Sequence, residues 1–196
     1  MKLNVGAGRD IRPGWTNLDS VAGPGIDIVV NIGTECLPLD LFMYMSGSME
    51  SAFDEIECSH IVEHVDNLLY AAENLWFLAA PNCKLTVKCP HGASDDAWED
   101  PTHRHALYPG SFRSWAQPYY WRADYGYRGD WRIESCTLLI DPALCELPSD
   151  EAFVIVQQQR NRVREIVTIL RAVKPARPAK RELLEPLAVS LQPATQ

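Results

Sequence analysis

The chain opens on two short apolar runs that each stop abruptly. Leu3-Asn4-Val5 breaks into Gly6-Ala7-Gly8, and Trp15-Thr16-Asn17-Leu18 breaks into Asp19. Short apolar runs closed by turn formers or polar residues mark buried parallel strands, and 3–6, 15–19, 26–31, 53–59 and 84–89 all follow this pattern. Residues 66–80 change period: Leu68, Leu69, Ala72, Leu75, Trp76 and Ala79 recur at helical spacing. Asp66 or Asn67 can cap that helix and Pro81-Asn82 stops it. With its flanking strands it forms a right-handed parallel unit. Two further strands are predicted at 132–140 and 163–173, the second dense in β-branched side chains. Residues 150–159 suit helix and strand equally.

Only eight residues separate Gly6 from Trp15, whereas a parallel crossover usually needs a dozen or more. Either one cramped helical turn makes the link, or the first crossover is truncated. Residues 175–196 are punctuated by proline and read as a loose tail. The alternative is that 181–191 folds as an amphipathic segment against a partner, a second copy included.

Ten of the eighteen Trp, Tyr and Phe residues fall between 92 and 131. That segment follows the end of the strand at 84–89, and ligands of open α/β sheets bind at the carboxyl ends of strands. An aromatic excursion there reads as a lid or acceptor pocket, the alternative being a packed subdomain without a ligand role.

Composition narrows the function. At 196 residues with 46% hydrophobic and 22% charged residues, the chain fits one globular domain. A formal net charge of −8 argues against gripping duplex nucleic acid, although eight basic residues and one acid crowd 160–181. No apolar run approaches the roughly 20 residues of a membrane span. The first strand begins at Lys2, which leaves no room for a leader, so a cytoplasmic protein is expected. Six cysteines without a C-x-x-C pair read as reduced core residues.

Gly6, Gly8 and Asp19 carry the first chemical signal. Glycines at a strand end bare the main chain to a ligand and tolerate positive φ, and a carboxylate ending the next strand binds hydroxyls. A dinucleotide fingerprint would need Gly at position 11, which is Ile11, and its acid about 20 residues on. Asp19 comes eleven after Gly8. An S-adenosylmethionine (SAM) site needs only the Gly-x-Gly turn and the acid.

All five histidines lie between 60 and 105. His60-Ile61-Val62-Glu63-His64 is an H-x-x-E-H string, which on a helix could hold zinc with Glu63 as base. It follows directly on a strand, however, which would turn the His60 ring away from His64. His103 and His105 alternate in Asp100-Pro101-Thr102-His103-Arg104-His105 and should point the same way. They suit a general base pair, metal ligands, or lid residues bonded to carboxylates.

Taken together, 3–8, Gly14-Trp15-Thr16-Asn17-Leu18-Asp19, 53–64 and Pro101-Thr102-His103 resemble a compact, type 11-like branch of the class I SAM-dependent methyltransferases. The resemblance implies an α/β fold: a Rossmann-like, mostly parallel seven-stranded sheet, its last two strands forming the antiparallel edge, with a shortened first crossover and the aromatic insertion after strand five. The transferase domain would span 1–174, with the 92–131 insertion inside it, and a Pro-rich tail would occupy 175–196. SAM is the implied cofactor. Gly6, Ala7 and Gly8 would wrap its methionine end, Asp19 its ribose, Asn31 and Ile32 its adenine, and Ser59 and His60 would floor the site. His103 or His105 would serve as catalytic base, with no metal. The acceptor expected is a small molecule or glycan-type metabolite. Two rivals stand beside this reading: a SAM-binding module without turnover, and a metal hydrolase built on His60, His64, His103 and His105.

Overall fold

The computed structural model describes residues 1–34, 37 and 53–194. Cys36 and the last two residues therefore lie outside the described part. The architecture is one sheet with strands β1 (Lys2–Val5), β2 (Thr16–Asp19), β3 (Ile28–Val29), β4 (Phe53–Ser59), β5 (Ala79–Pro90), β6 (Trp131–Ile140), β7 (Val163–Ala172) and β8 (Val189–Pro193). Their spatial order is β3-β2-β1-β4-β5-β7-β6-β8. Strands β3, β2, β1, β4 and β5 are mutually parallel, so their carboxyl ends share one edge. Strand β7 inserts antiparallel between β5 and β6.

This is the expected α/β, Rossmann-like sheet with two differences. Among the described residues it has eight strands rather than seven, and its outer edge is β8 instead of the β6–β7 pair. Strand β8 pairs parallel with β6 from Cys136↔Val189 to Ile140↔Pro193. The segment leading to it is held by a buried ion pair. Arg177 reaches Asp130 through Nε at 2.8 Å and Nη2 at 2.9 Å, and its backbone N–H adds a third bond at 2.8 Å. Only Val189-Ser190-Leu191 alternates between prolines, too short a pattern to announce a strand.

The helix α1 (Leu68–Leu78) starts on Asn67, whose side chain accepts from the N–H groups of Leu69 and Tyr70 at 3.0 and 3.1 Å. It buries Ala71, Ala72, Leu75 and Leu78 against a core that includes Leu3, Ile56 and Leu85. The chain passes straight into β5, five residues before the predicted start, with Asn82 in the left-handed region at φ 62°. There the pairing with β4 slips between Phe53 and Glu55. Residues 150–159, ambiguous in sequence, belong to α3 (Ser149–Gln158), whose Ala152 and Val156 face inward.

The first crossover is truncated, and it runs through turns rather than a helix. Two buried asparagines at matched register, Asn4↔Asn17, do the helix's work. Asn4 Nδ2 donates to the Asp10 carbonyl at 2.7 Å and to Asn17 Oδ1 at 3.1 Å. Asn17 Oδ1 also accepts from Arg12 N–H at 3.0 Å. Each side chain thereby meets loop main-chain groups that a helix would have satisfied itself.

The insertion between β5 and β6 divides in two. Its second half, two 3₁₀ turns at Pro109–Trp115 and Gln117–Trp121, sinks Phe112, Trp115, Tyr120 and Tyr127 into the core. Those rings are packing, not lid. The first half stays at the sheet's carboxyl edge, with the short helix α2 (Asp96–Glu99) and the exposed Trp98. Five free cysteines are described, four buried and Cys145 exposed. Burial pushes the Cys83 thiol up to about 12, so it stays protonated and inert.

Candidate functional site

Two clefts open side by side on the carboxyl edge. The first, a cavity of about 100 Å³, is lined by Gly6, Asp19, Asn31 and Ile32 together with Val5, Leu18, Ser20, Val30, Ile61, His64 and Val65. Four of the residues expected to hold the cofactor therefore meet here, one from each strand end of β1 and β2 and two from the end of β3. Gly6 adopts φ 69°, and a Cβ there would strike the Ile61 side chain at 2.8 Å. Glycine is required at this position by backbone and by packing at once. Ala7 is buried and its N–H donates to the Leu18 carbonyl at 3.0 Å. Gly8, at φ 51°, donates its N–H to Asp19 Oδ2 at 2.8 Å. Ala7 and Gly8 thus shape the loop behind the cleft.

Asp19 is the hinge of this arrangement. Its Oδ1 accepts from Val21 N–H at 2.9 Å while Oδ2 holds Gly8. A carboxylate offers about four acceptor positions, so the two oxygens keep capacity for a ligand's hydroxyls. Asn31 spends its Oδ1 on Gly33 N–H at 2.9 Å. Behind it, Asn74 of α1 donates to the carbonyls of Ile32 and Thr34 at 2.9 and 3.1 Å and fixes the cleft wall.

The second cleft, about 350 Å³ and open, is lined by charged and titratable side chains: His60, Asp96, Glu99, Asp100, His103, Arg164 and Glu165, with Pro90. His60 belongs here rather than under the first cleft. It sits at φ 53°, a region sparsely used by residues with a Cβ. Its Nε2 lies 3.0 Å from Glu165 Oε1 and its Nδ1 3.5 Å from Glu63 Oε1. The Glu63 and Glu165 carboxylates raise its pKa against the opposing effect of partial burial. Ser59 ends β4 in register with Lys88 and lines neither cleft.

The H-x-x-E-H string forms a turn and not a helix, so His60 and His64 do not share a face. The His64 ring instead meets His103 edge-on, centroids 4.6 Å apart. His64 Nδ1 stands 2.9 Å from Thr102 Oγ1, and that hydroxyl donates to Asp100 Oδ1 at 2.6 Å. The hydroxyl and backbone N–H of Thr102 hold the Asp100 carboxyl below its ordinary range. His103 Nδ1 lies 3.3 Å from the Ala97 carbonyl. His105 turns elsewhere: its Nε2 bonds the Val65 carbonyl at 2.8 Å. The expected parallel pair is thus split, because His103 and His105 each answer a different main-chain carbonyl. Sequence reasoning missed Ile61 and Val65. Their one signal was apolar residues directly following a strand end.

No protein-family model matches the sequence, and no curated protein matches it either. Solved structures do match in fold. A SAM-dependent methyltransferase from Archaeoglobus fulgidus is similar at TM-score 0.54 and 16% identity, over 87% of this chain and 85% of that one. An S-adenosylmethionine-dependent methyltransferase from Mesorhizobium loti is similar at TM-score 0.50 and 12% identity, over 87% and 90%. The [4+2]-cyclase SpnF is similar at TM-score 0.52 and 11% identity, over 88% and 74%. The chain therefore shares the Rossmann-like α/β fold of these structures, the fold that the resemblance implied. The cyclase shows that this fold carries other chemistry too.

Proposed function

We propose that the protein is a SAM-dependent methyltransferase acting on a small-molecule or glycan-type acceptor. One observation carries the reading: Gly6, Asp19, Asn31 and Ile32 converge on a single cleft at the carboxyl ends of β1, β2 and β3, where ligands of such sheets bind. The residues suit the cofactor. Asp19 has lone pairs left for ribose hydroxyls, and Ile32, Ile61 and Val65 offer apolar contact to a flat base. Gly6 keeps the loop low enough for a ligand to approach the main chain. Bound SAM would supply an electrophilic methyl for direct in-line displacement.

The chain's own task is then alignment in a confined site. The acceptor would occupy the adjoining cleft of His60, His103 and Glu165. His103, whose Nε2 is uncommitted to a close hydrogen bond, is the candidate to take an acceptor proton. His105 has its Nε2 engaged by Val65 and serves instead to position the 102–105 segment. Calorimetry with SAM and with its demethylated product tests the cofactor assignment, and absence of binding would sink it. Turnover on an acceptor panel separates a transferase from the second reading, a SAM-binding module without activity. Among the described residues no helix is long and apolar enough to cross a membrane.

A further inference from the structure

Glu63 is 2% exposed, and neither of its carboxylate oxygens has a hydrogen-bond partner among the described residues. His60 Nδ1 stands 3.5 Å from its Oε1, and a buried carboxylate that accepts no closer bond is costly. It stands in a cluster: one ligand atom from each of Glu63, His64 and His103 falls within 4.8 Å of the others. We propose that these three side chains bind a divalent transition-metal ion of the zinc class at the wall shared by the two clefts.

The hydrogen bonds decide which nitrogen of each ring is free. The single Thr102 hydroxyl proton goes to Asp100, so Thr102 Oγ1 accepts from His64 Nδ1. The Ala97 carbonyl can only accept, so His103 Nδ1 also carries its proton. Both Nε2 atoms are left with the lone pair a metal needs. Metal-bound histidines usually donate their other ring N–H to a carboxylate, carbonyl or water, and the Asp100–Thr102–His64 chain and the Ala97 carbonyl supply that support. Two imidazoles and one carboxylate suit zinc and its neighbours. Bonds of about 2.0–2.2 Å would require a small inward movement of the side chains. His60 stands outside the cluster, which separates this site from the literal H-x-x-E-H pairing.

Three protein ligands leave a position open, as in catalytic rather than structural zinc sites. His64 lines the first cleft and His103 the second. The open position would therefore take an acceptor oxygen, selecting a hydroxyl- or carboxylate-bearing substrate. That clause rests on the transferase reading, and His103 Nε2 would then act as ligand and not as base. The ion would itself acidify a bound hydroxyl.

Chelator-treated protein titrated with Zn²⁺ by calorimetry and with Co²⁺ by visible absorption, in the absence of SAM, tests the site independently of the cofactor. One ion per chain is expected, with cobalt ligand-field bands. His103→Ala and Glu63→Gln should weaken binding by at least about 100-fold, and Thr102→Val by about 10- to 100-fold. His60→Ala should bind like the parent. Zinc should raise the melting temperature of the parent protein and leave that of folded Glu63→Gln unmoved. If Glu63→Gln does not fold, Thr102→Val decides. No bound ion in the parent overturns the proposal. So does binding that survives His103→Ala but is lost in His60→Ala.

Discussion

Asp130, at the seam between the insertion and the C-terminal segment, and Glu63, behind the two clefts, are carboxylates withdrawn from solvent, at 0% and 2% exposure. Asp130 is saturated. It accepts from the Arg177 guanidinium through both oxygens, from Arg177 N–H and from Gln117 N–H at 3.0 Å. Glu63 accepts no hydrogen bond among the described residues, with His60 Nδ1 3.5 Å away and ring nitrogens of His64 and His103 within 4.8 Å. A carboxylate that serves architecture is fully answered by protein groups. One left bare in an otherwise well-bonded interior is spare capacity for a ligand. Asp19 falls between them: exposed to a cleft, half-satisfied by its own loop, with acceptor positions still free.

The contrast can be broken most forcefully at Asp130. Arg177→Ala strands a buried charge and should destabilise the fold by about 3–5 kcal/mol, read by urea unfolding. A loss below about 1 kcal/mol would mean that the seam is wetter than it looks. Asp19→Ala comes next: loss of charge-assisted hydrogen bonds of about 1.5–3 kcal/mol should weaken SAM binding roughly 10- to 100-fold in calorimetry, and an unchanged affinity removes the ribose role. Glu63→Met should go the other way, stabilising chelator-treated protein by about 1 kcal/mol, because it removes an unpartnered buried polar group. Destabilisation there would show that Glu63 has an answering partner in solution.

The smallest effect is set by Glu57. Burial raises its pKa, but hydrogen bonds from Arg12 and Lys88 prevail and hold it below the ordinary 4.5. A folded-state value below the unfolded one makes this pair a source of stability at neutral pH that fades as pH drops below about 4.5. Glu57→Gln should therefore be less stable than the parent at pH 6, the gap narrowing as the pH falls below about 4.5. A gap independent of pH would assign the effect to packing.

The strand ends of β1, β2 and β4 were legible because a buried parallel strand writes its limits in glycine, acid or hydroxyl residues. The α1 face was legible because helical spacing repeats over three turns. What failed to show depends on distant partners. Strand β3 shrinks from the predicted 26–31 to Ile28–Val29, and β8 exists only because Arg177 anchors the approach and β6 presents a free edge. The aromatic insertion looked like one feature, but core packing claims its second half and leaves polar residues at the site. The Glu63, His64 and His103 cluster is the clearest case. Its members lie up to 40 residues apart, and the H-x-x-E-H string, which holds two of them, advertised His60 as the partner of His64.

The outermost strands have a consequence for how this molecule meets copies of itself. One border of the sheet is β3, two residues long, and the other is β8, five residues ending at Pro193. Among the described residues, neither offers the long, regular ribbon of unpaired amides that recruits foreign strands into aggregates. Trimming the chain before Val189 would bare ten-residue β6 instead and turn a guarded margin into an adhesive one.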